Sequence, residues 1–426
     1  MVDFPRTPVP PVTHVRQEFP RAHVADVEAA VRAAIVSQGG LNTLKHGASV
    51  AITAGSRGIA DIPLVLRTVA ACVREAGGEP FVVPAMGSHG GATAGGQEEV
   101  LSHYGVTEES VGAPIRASMD TVQLGITETG ATVHMDRLAR EADATIVVGR
   151  VKPHTSFRSD IESGLCKMLA IGLGKQRGAE SIHRHGLPTS MPQAARITIE
   201  KGNLLLGLGL VENAFHQLHT IRACAPQEFH DTDRELLRLA KSLLPRVPFD
   251  ELDVLGVGWL GKNISGSGMD YNVLGMWRRI GGPQIPNFHR IAVFDVTDES
   301  DGNAFGVGIA DFTTRRLVDK MDPVKTYMTG LTAGGGAVGA IKIAATMASD
   351  REALEVALAT ADSVGPPRLA LIRNTLELDH LWVSDAMLEE VEANPNLVVE
   401  GPSRPAPFDA EGNLTLWARP VPAATH

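Results

Sequence analysis

Apolar and polar positions follow two alternating rhythms through the first 250 residues. HGASVAIT (46–53) is an apolar, β-branched run of strand length that ends in the small-residue turn AGSRG. A helical spacing then runs from Ile62 to Ala76, a Gly-Gly pair stops it, and PFVVPAM (80–86) reads as the next strand. ADATIVVGRV (142–151) is a further buried-strand pattern. Strand, helix and strand in this order predict βαβ units and a largely parallel sheet, an α/β fold. In such sheets the functional loops lie beyond the carboxyl ends of the strands. Loops 54–58, 87–97 and 152–163 all leave at strand ends, so they are expected to converge on one crevice.

The pattern restarts after SLLPRVPFDELD (242–253), where two prolines separate a charged helix from a new strand, DVLGVGWL. RIAVFDVT (290–297) is another strand of this second half, and TAGGGAVGA (332–340) is a glycine-rich run. Two α/β domains are therefore expected, 1–248 and 249–395, with a Pro-, Gly- and Ala-rich tail (396–426) packing back on the first.

Composition narrows the class of partner. The 426 residues carry 39 Lys+Arg against 49 Asp+Glu, a formal charge of −10, and only 4% are aromatic. Nucleic acids and anionic membranes both demand a basic face, and base stacking demands aromatic platforms, so neither partner is expected. No run approaches the roughly 18 to 20 apolar residues that span a bilayer. MVDFPRTPVPPV lacks the basic start and apolar run of a signal peptide, and Cys72, Cys166 and Cys224 form no CxxC. A reducing, cytoplasmic location is the expectation.

Several motifs carry chemistry. GVGWLG (256–261) matches G-x-G-x-x-G, but KNISGSGMDYN after it is a poor helix start, and no acid stands about 20 residues on. Gly174–Lys175 in IGLGK likewise lacks the spacing and the Ser/Thr of a P-loop. GSHGGAT (87–93) places His89 on an accessible glycine loop, a natural setting for a general acid or base. In segment 151–186, Pro153 stiffens the approach to His154, and Lys167 sits among Leu, Met and Ile in GLCKMLAI. Such a lysine either snorkels to the surface or is an amine tuned for covalent attachment. Lys175 lies on the more polar, more exposed run GLGKQRG. His183 and His185 form one potential metal pair; His216 and His219 form another on an expected helix surface. Arg57 on its glycine loop suits bidentate carboxylate binding, while Lys262, Arg278 and Arg279 flank SGSGMDYN.

Together AGSRGI (54–59), GSHGGAT (87–93), VKPHTSF (151–157), ESGLCKM (162–168), GA-x-x-IH (178–183) and SGSGMDYN (265–272) resemble the nickel-pincer-nucleotide-dependent lactate racemase family. The resemblance implies two α/β domains with the active site in the crevice between them. It also implies a pyridinium mononucleotide tethered to a lysine and holding nickel through one carbon and two sulfurs. On this likeness Lys167 matches the tethering lysine. His183, sixteen residues after it, matches the nickel ligand in preference to His185. His89 and His154 match the two catalytic histidines. Arg57 matches an arginine that holds the substrate carboxylate, and Arg278 falls where the family has a lysine for that purpose. The implied partners are a small 2-hydroxy acid and the enzymes that make the cofactor; chain produced without those enzymes is expected to lack it.

The chain departs from that pattern at Ala54, where an acid is expected, and at Leu274 and Gly275, in place of Tyr and Gln. Smaller side chains there would leave room for a substrate larger than lactate, lined by Tyr271 and Trp277. The implied activity is racemisation or epimerisation of a 2-hydroxy acid by reversible hydride transfer. Two other readings stay open: a metal-dependent hydrolase or lyase using His183 and His185 with Asp160 or Glu162, and a non-catalytic nickel- or nucleotide-binding protein.

Overall fold

The computed structural model describes residues 4–56, 58–332, 337–362 and 364–417. The chain divides into two units: 20–154 with 158–244, and 4–19 with 155–157 and 245–417.

The first unit is built on a five-stranded sheet. Its spatial order is Glu79–Pro84, Ser49–Ala54, Ala144–Arg150, Leu204–Glu212 and Leu218–Cys224, parallel except for the last hairpin. The expected strands at 46–53, 80–86 and 142–151 are its three leading members. Ile52, Val82 and Ile146 are fully buried, as strands covered on both faces require. Helix Ile62–Glu75 starts with Pro63 in its first turn and packs Val65, Leu66, Val69 and Val73 into this core. From Ser49–Ala54 the chain steps outward to Glu79–Pro84, then resumes on the other side at Ala144–Arg150. This reversal is a topological switch point, and the loops leaving the two central strands diverge there.

The second unit holds an eight-stranded mixed sheet, five strands parallel and three antiparallel. Strands Glu251–Leu260, Asn287–Val296, Phe312–Thr314, Ala345–Met347 and Leu369–Ile372 run parallel. His380–Ser384, Val12–Gln17 and Leu397–Val399 extend the sheet antiparallel. The N-terminal strand and the tail thus belong here and not with the first domain as expected. The reason is apolar area: Phe408, Leu414, Leu416 and Trp417 of the tail pack against the cluster of Val254, Phe294 and Leu371. GVGWLG lies within and just after the first of these strands, and a Cβ on Gly256 would stand 2.5 Å from Leu371. These glycines serve packing rather than a phosphate loop. Residues 333–336 of the glycine-rich run lie outside the described residues.

Among the described residues no helix is long and apolar enough to cross a membrane. All three cysteines are free and buried.

Candidate active site

Lys167 ends the short helix Leu165–Lys167, which continues into a π-turn, Met168–Gly172. Glycines let this segment settle on the carboxyl edge of the parallel sheet. A Cβ on Gly149 would stand 2.7 Å from the Met168 side chain, and one on Gly55 would stand 3.7 Å from it. Met168 therefore sits over the switch point, between the loops that leave the two central strands. Gly87, which opens the His89 loop, donates its N–H to the Gly172 carbonyl at 3.2 Å. The His154 loop is closed at its neck by reciprocal backbone bonds between Lys152 and Ser163, and Ser163 Oγ accepts from Lys167 Nζ at 3.5 Å.

A buried acid anchors the segment. Asp233 accepts from Leu165 N–H and Cys166 N–H, one carboxylate oxygen to each, both at 2.8 Å. Burial pushes its pKa up to about 6, and the two backbone bonds oppose that rise. Gly164 is needed beside it, because a Cβ there would stand 2.2 Å from Asp233 Oδ1. Asp233 escaped the sequence reading, although a signal existed. It occupies the apolar stripe of helix Phe229–Leu243, with Phe229, Leu236, Leu237 and Ala240. An acid on such a stripe has a dedicated partner.

His89 is exposed on its loop and donates Nδ1–H to the Met86 carbonyl at 2.8 Å. A carbonyl only accepts, so this bond selects the tautomer in which Nε2 is the basic nitrogen. Gln97 steadies the loop by donating to the carbonyls of Gly87 at 2.9 Å and His89 at 3.3 Å. Gln97 in turn accepts from Lys175 Nζ at 3.0 Å. Lys175, read from the sequence as the more exposed lysine, is fully buried. Its ammonium pairs with Asp136 at 3.0 Å and also donates to the Pro84 carbonyl. Burial lowers its pKa and Asp136 counters that fall. Its polar neighbours in sequence carried no sign of this, because the partners come from residues 84, 97 and 136. Lys175 is thus committed to structure, whereas Lys167 is part-exposed.

His154 is half-buried, and its loop is organised by Glu162. That carboxylate is 1% exposed; it accepts from His154 N–H at 2.6 Å and from Ser159 N–H at 3.4 Å, and pairs with Lys241 at 2.7 Å. Glu162 is therefore occupied as a loop organiser, which removes it from the ligand set of the hydrolase reading.

His183 lies on helix Lys175–Arg184, exposed yet with a pKa below the ordinary imidazole value. Loss of hydration is the larger cause, the Lys167 charge the second, and a bond to the Ala179 backbone opposes both. Lys167 and His183 are thus electrostatic neighbours, and a neutral imidazole is the form that binds a metal. His185 caps the same helix, with Nδ1 donating to the Ser181 carbonyl at 2.8 Å. His216 and His219 do not share a helix: His216 lies in a hairpin turn at φ 56° and His219 in the strand after it.

Arg57 lies outside the described residues. Arg278, in the second unit, has a largely buried guanidinium that donates to the Phe288 carbonyl, lies 3.7 Å from Asp311 and stacks over Trp277 at 4.6 Å. Burial lowers its pKa and Asp311 counters the fall. The room expected around Gly275 is filled. A Cβ there would stand 2.7 Å from Trp277 Nε1, while Tyr271 and Leu274 belong to the hydrophobic core. Trp277 Nε1 donates to the Pro286 carbonyl at 2.8 Å. Tyr271 is thus a core residue, 2% exposed.

Among solved structures the chain is similar to the lactate racemase apoprotein from Thermoanaerobacterium thermosaccharolyticum, at 14% identity and a TM-score of 0.47, covering 78% of this chain and 83% of that one. No curated protein matches the sequence. The family model described as "Domain of unknown function (DUF362)" matches residues 53–349. On that match, which spans well over half its length, the chain belongs to the DUF362 family.

Proposed function

We propose that this protein is a racemase or epimerase of a 2-hydroxy acid, with Lys167 as the attachment point of a nickel-pincer nucleotide. The observation that carries the reading is the place of a part-exposed Lys167 at the carboxyl edge of the parallel sheet, framed by the His89 and His154 loops and within electrostatic range of His183. The residues fit the group: Lys167 is a part-exposed lysine for the tether, and His183, within its electrostatic range, offers an imidazole for the metal. Nickel held by soft sulfur donors and one imidazole is a chemically coherent set. When bound, the nucleotide supplies the acceptor for the Cα hydride.

The protein's own part is proton transfer and orientation. Either enantiomer needs a base at its hydroxyl, and two histidines on two loops meet that need, one for each hand. His89 takes the hydroxyl proton at Nε2 from one enantiomer, and His154 does the same for the other. Loss of that proton and of the Cα hydride leaves a planar 2-keto acid, and return of hydride to the opposite face inverts the centre. Arg57 and Arg278 are proposed to hold the carboxylate through charge-assisted bonds.

The test is production of the chain alongside the cofactor-synthesis enzymes, followed by intact mass, metal analysis and peptide mapping. The added mass is expected on the peptide containing Lys167, and chiral chromatography over a panel of 2-hydroxy acids should show interconversion of enantiomers. Added mass on Lys175, or loaded protein that interconverts no member of the panel, would overturn the reading.

A further inference from the structure

The second unit carries a group of metal-ligating side chains that the proposed reaction does not use. His14, His380 and Glu400 come from three segments brought together by the antiparallel part of its sheet. Val12–Gln17 is the central strand, flanked by His380–Ser384 and Leu397–Val399. In this register His14 lies opposite Trp382, and Arg16 lies opposite His380. Glu400 donates its backbone N–H to the His14 carbonyl at 2.9 Å. Residues two apart share a face of a strand, so both imidazoles and the carboxylate project from the same side.

The side chains meet. His14 Nε2 lies 3.0 Å from His380 Nδ1, and Glu400 Oε2 lies 3.6 Å from His14 Nδ1 and 3.9 Å from His380 Nδ1. One donor atom from each residue falls within 4.8 Å of the other two. Ligands about 2.1 Å from a tetrahedral ion stand roughly 3.4 Å from one another, so small rotamer adjustments bring the three to bonding distance. The surroundings hold the donors in place. Arg16 Nε donates to Glu400 Oε1 at 2.6 Å, which leaves Oε2 turned to the histidines. Trp382 stacks on the His14 ring at 4.7 Å and 13°, with Trp417 edge-on against it at 5.4 Å. The three side chains are each about one-third to one-half exposed, so an ion can enter from solvent and keep a water as its fourth ligand.

We propose that His14, His380 and Glu400 form a zinc-type site for a divalent first-row cation, a two-histidine, one-carboxylate set with an open fourth position. Two imidazoles and a carboxylate select a borderline cation such as Zn²⁺ over Ca²⁺ or Mg²⁺, which take oxygen ligands. Bound there, the ion ties the N-terminal strand to the segment after Leu397–Val399 across some 380 residues of chain.

The experiment is calorimetric titration of chelator-treated full-length protein, made without the cofactor-synthesis enzymes, with Zn²⁺. Co²⁺ absorption spectra report the coordination. The variants are His14→Ala, His380→Ala, the near-isosteric Glu400→Gln and His183→Ala. About one equivalent of Zn²⁺ is expected to bind wild type and His183→Ala alike. Binding should weaken in His14→Ala and His380→Ala by at least the roughly 10- to 100-fold that loss of a mere supporting partner costs. Glu400→Gln should weaken it as well. Wild type that takes up no Zn²⁺ overturns the proposal whatever the variants do. So does binding that survives both histidine substitutions, or that is lost only in His183→Ala. Because the His183 variant is a separate arm, failure here and failure of the racemase reading are distinguishable.

Discussion

Removing the Asp233 carboxylate tests the anchor beneath Lys167. Asp233→Ala leaves Leu165 N–H and Cys166 N–H buried without an acceptor. Each orphaned donor costs roughly 1–3 kcal/mol, so about 2–6 kcal/mol together. Part of this is offset, because wild type at pH 7 holds a carboxylate ionised about two units above its ordinary pKa of 3.8, worth about 3 kcal/mol. The net loss at pH 7 is therefore at most about 3 kcal/mol. The pH dependence is the sharper signature. A carboxyl raised to about 6 in the folded chain binds its proton more tightly there than in the unfolded chain. Its contribution is full below about pH 3.8 and is lost as the pH rises through about 6. Between pH 7 and pH 5 wild type gains about 1.4 kcal/mol from this group, a gain that Asp233→Ala cannot make. Urea unfolding followed by far-UV circular dichroism at both pH values measures the difference. Hydrogen exchange of the peptide spanning 164–168 localises it. A wild-type advantage that is equal at the two pH values, or larger at pH 7, would refute the reasoning.

Lys175→Met removes one partner of a buried pair and should destabilise the chain by about 3–5 kcal/mol, read as a lowered denaturation midpoint. A Lys175→Met, Asp136→Leu double variant should recover part of the loss; an unchanged midpoint in Lys175→Met counts against the pairing. With loaded protein, His89→Ala and His154→Ala should each lose roughly 10²-fold or more in inversion rate, and near-native rates in both directions for either variant would end the two-base assignment. Lys167→Ala should carry no added mass and no bound nickel after production with the cofactor-synthesis enzymes, while remaining folded by circular dichroism. Arg278→Ala should raise KM about ten- to a hundredfold with kcat less affected; an unchanged KM with lowered stability would show that the guanidinium serves only Phe288 and Asp311.

Local pattern alone determined three of the four parallel strands of the first unit, at 46–53, 80–86 and 142–151, and the loops that leave their carboxyl ends. Continuous apolar runs such as IVV (146–148) bury both faces, and glycine and proline mark where they stop. The loops bearing His89 and His154, and the segment bearing Lys167, could be placed for the same reason. What periodicity does not encode is the group across the gap. Lys175 looked exposed because its sequence neighbours are polar, yet Pro84, Gln97 and Asp136 enclose it. The crowding of Gly275 by Trp277 depends on a backbone turn at φ 102°, invisible in residue type. Residues 4–19 belong to the second unit and not, as expected from their place in the sequence, to the first, because nothing in that stretch says which distant strands it pairs with. Its partners, at 380–384 and 397–399, are some 380 residues away in sequence. Register between such distant strands is decided when whole apolar faces close on one another, and only that closure brings His14, His380 and Glu400 within reach of a single ion.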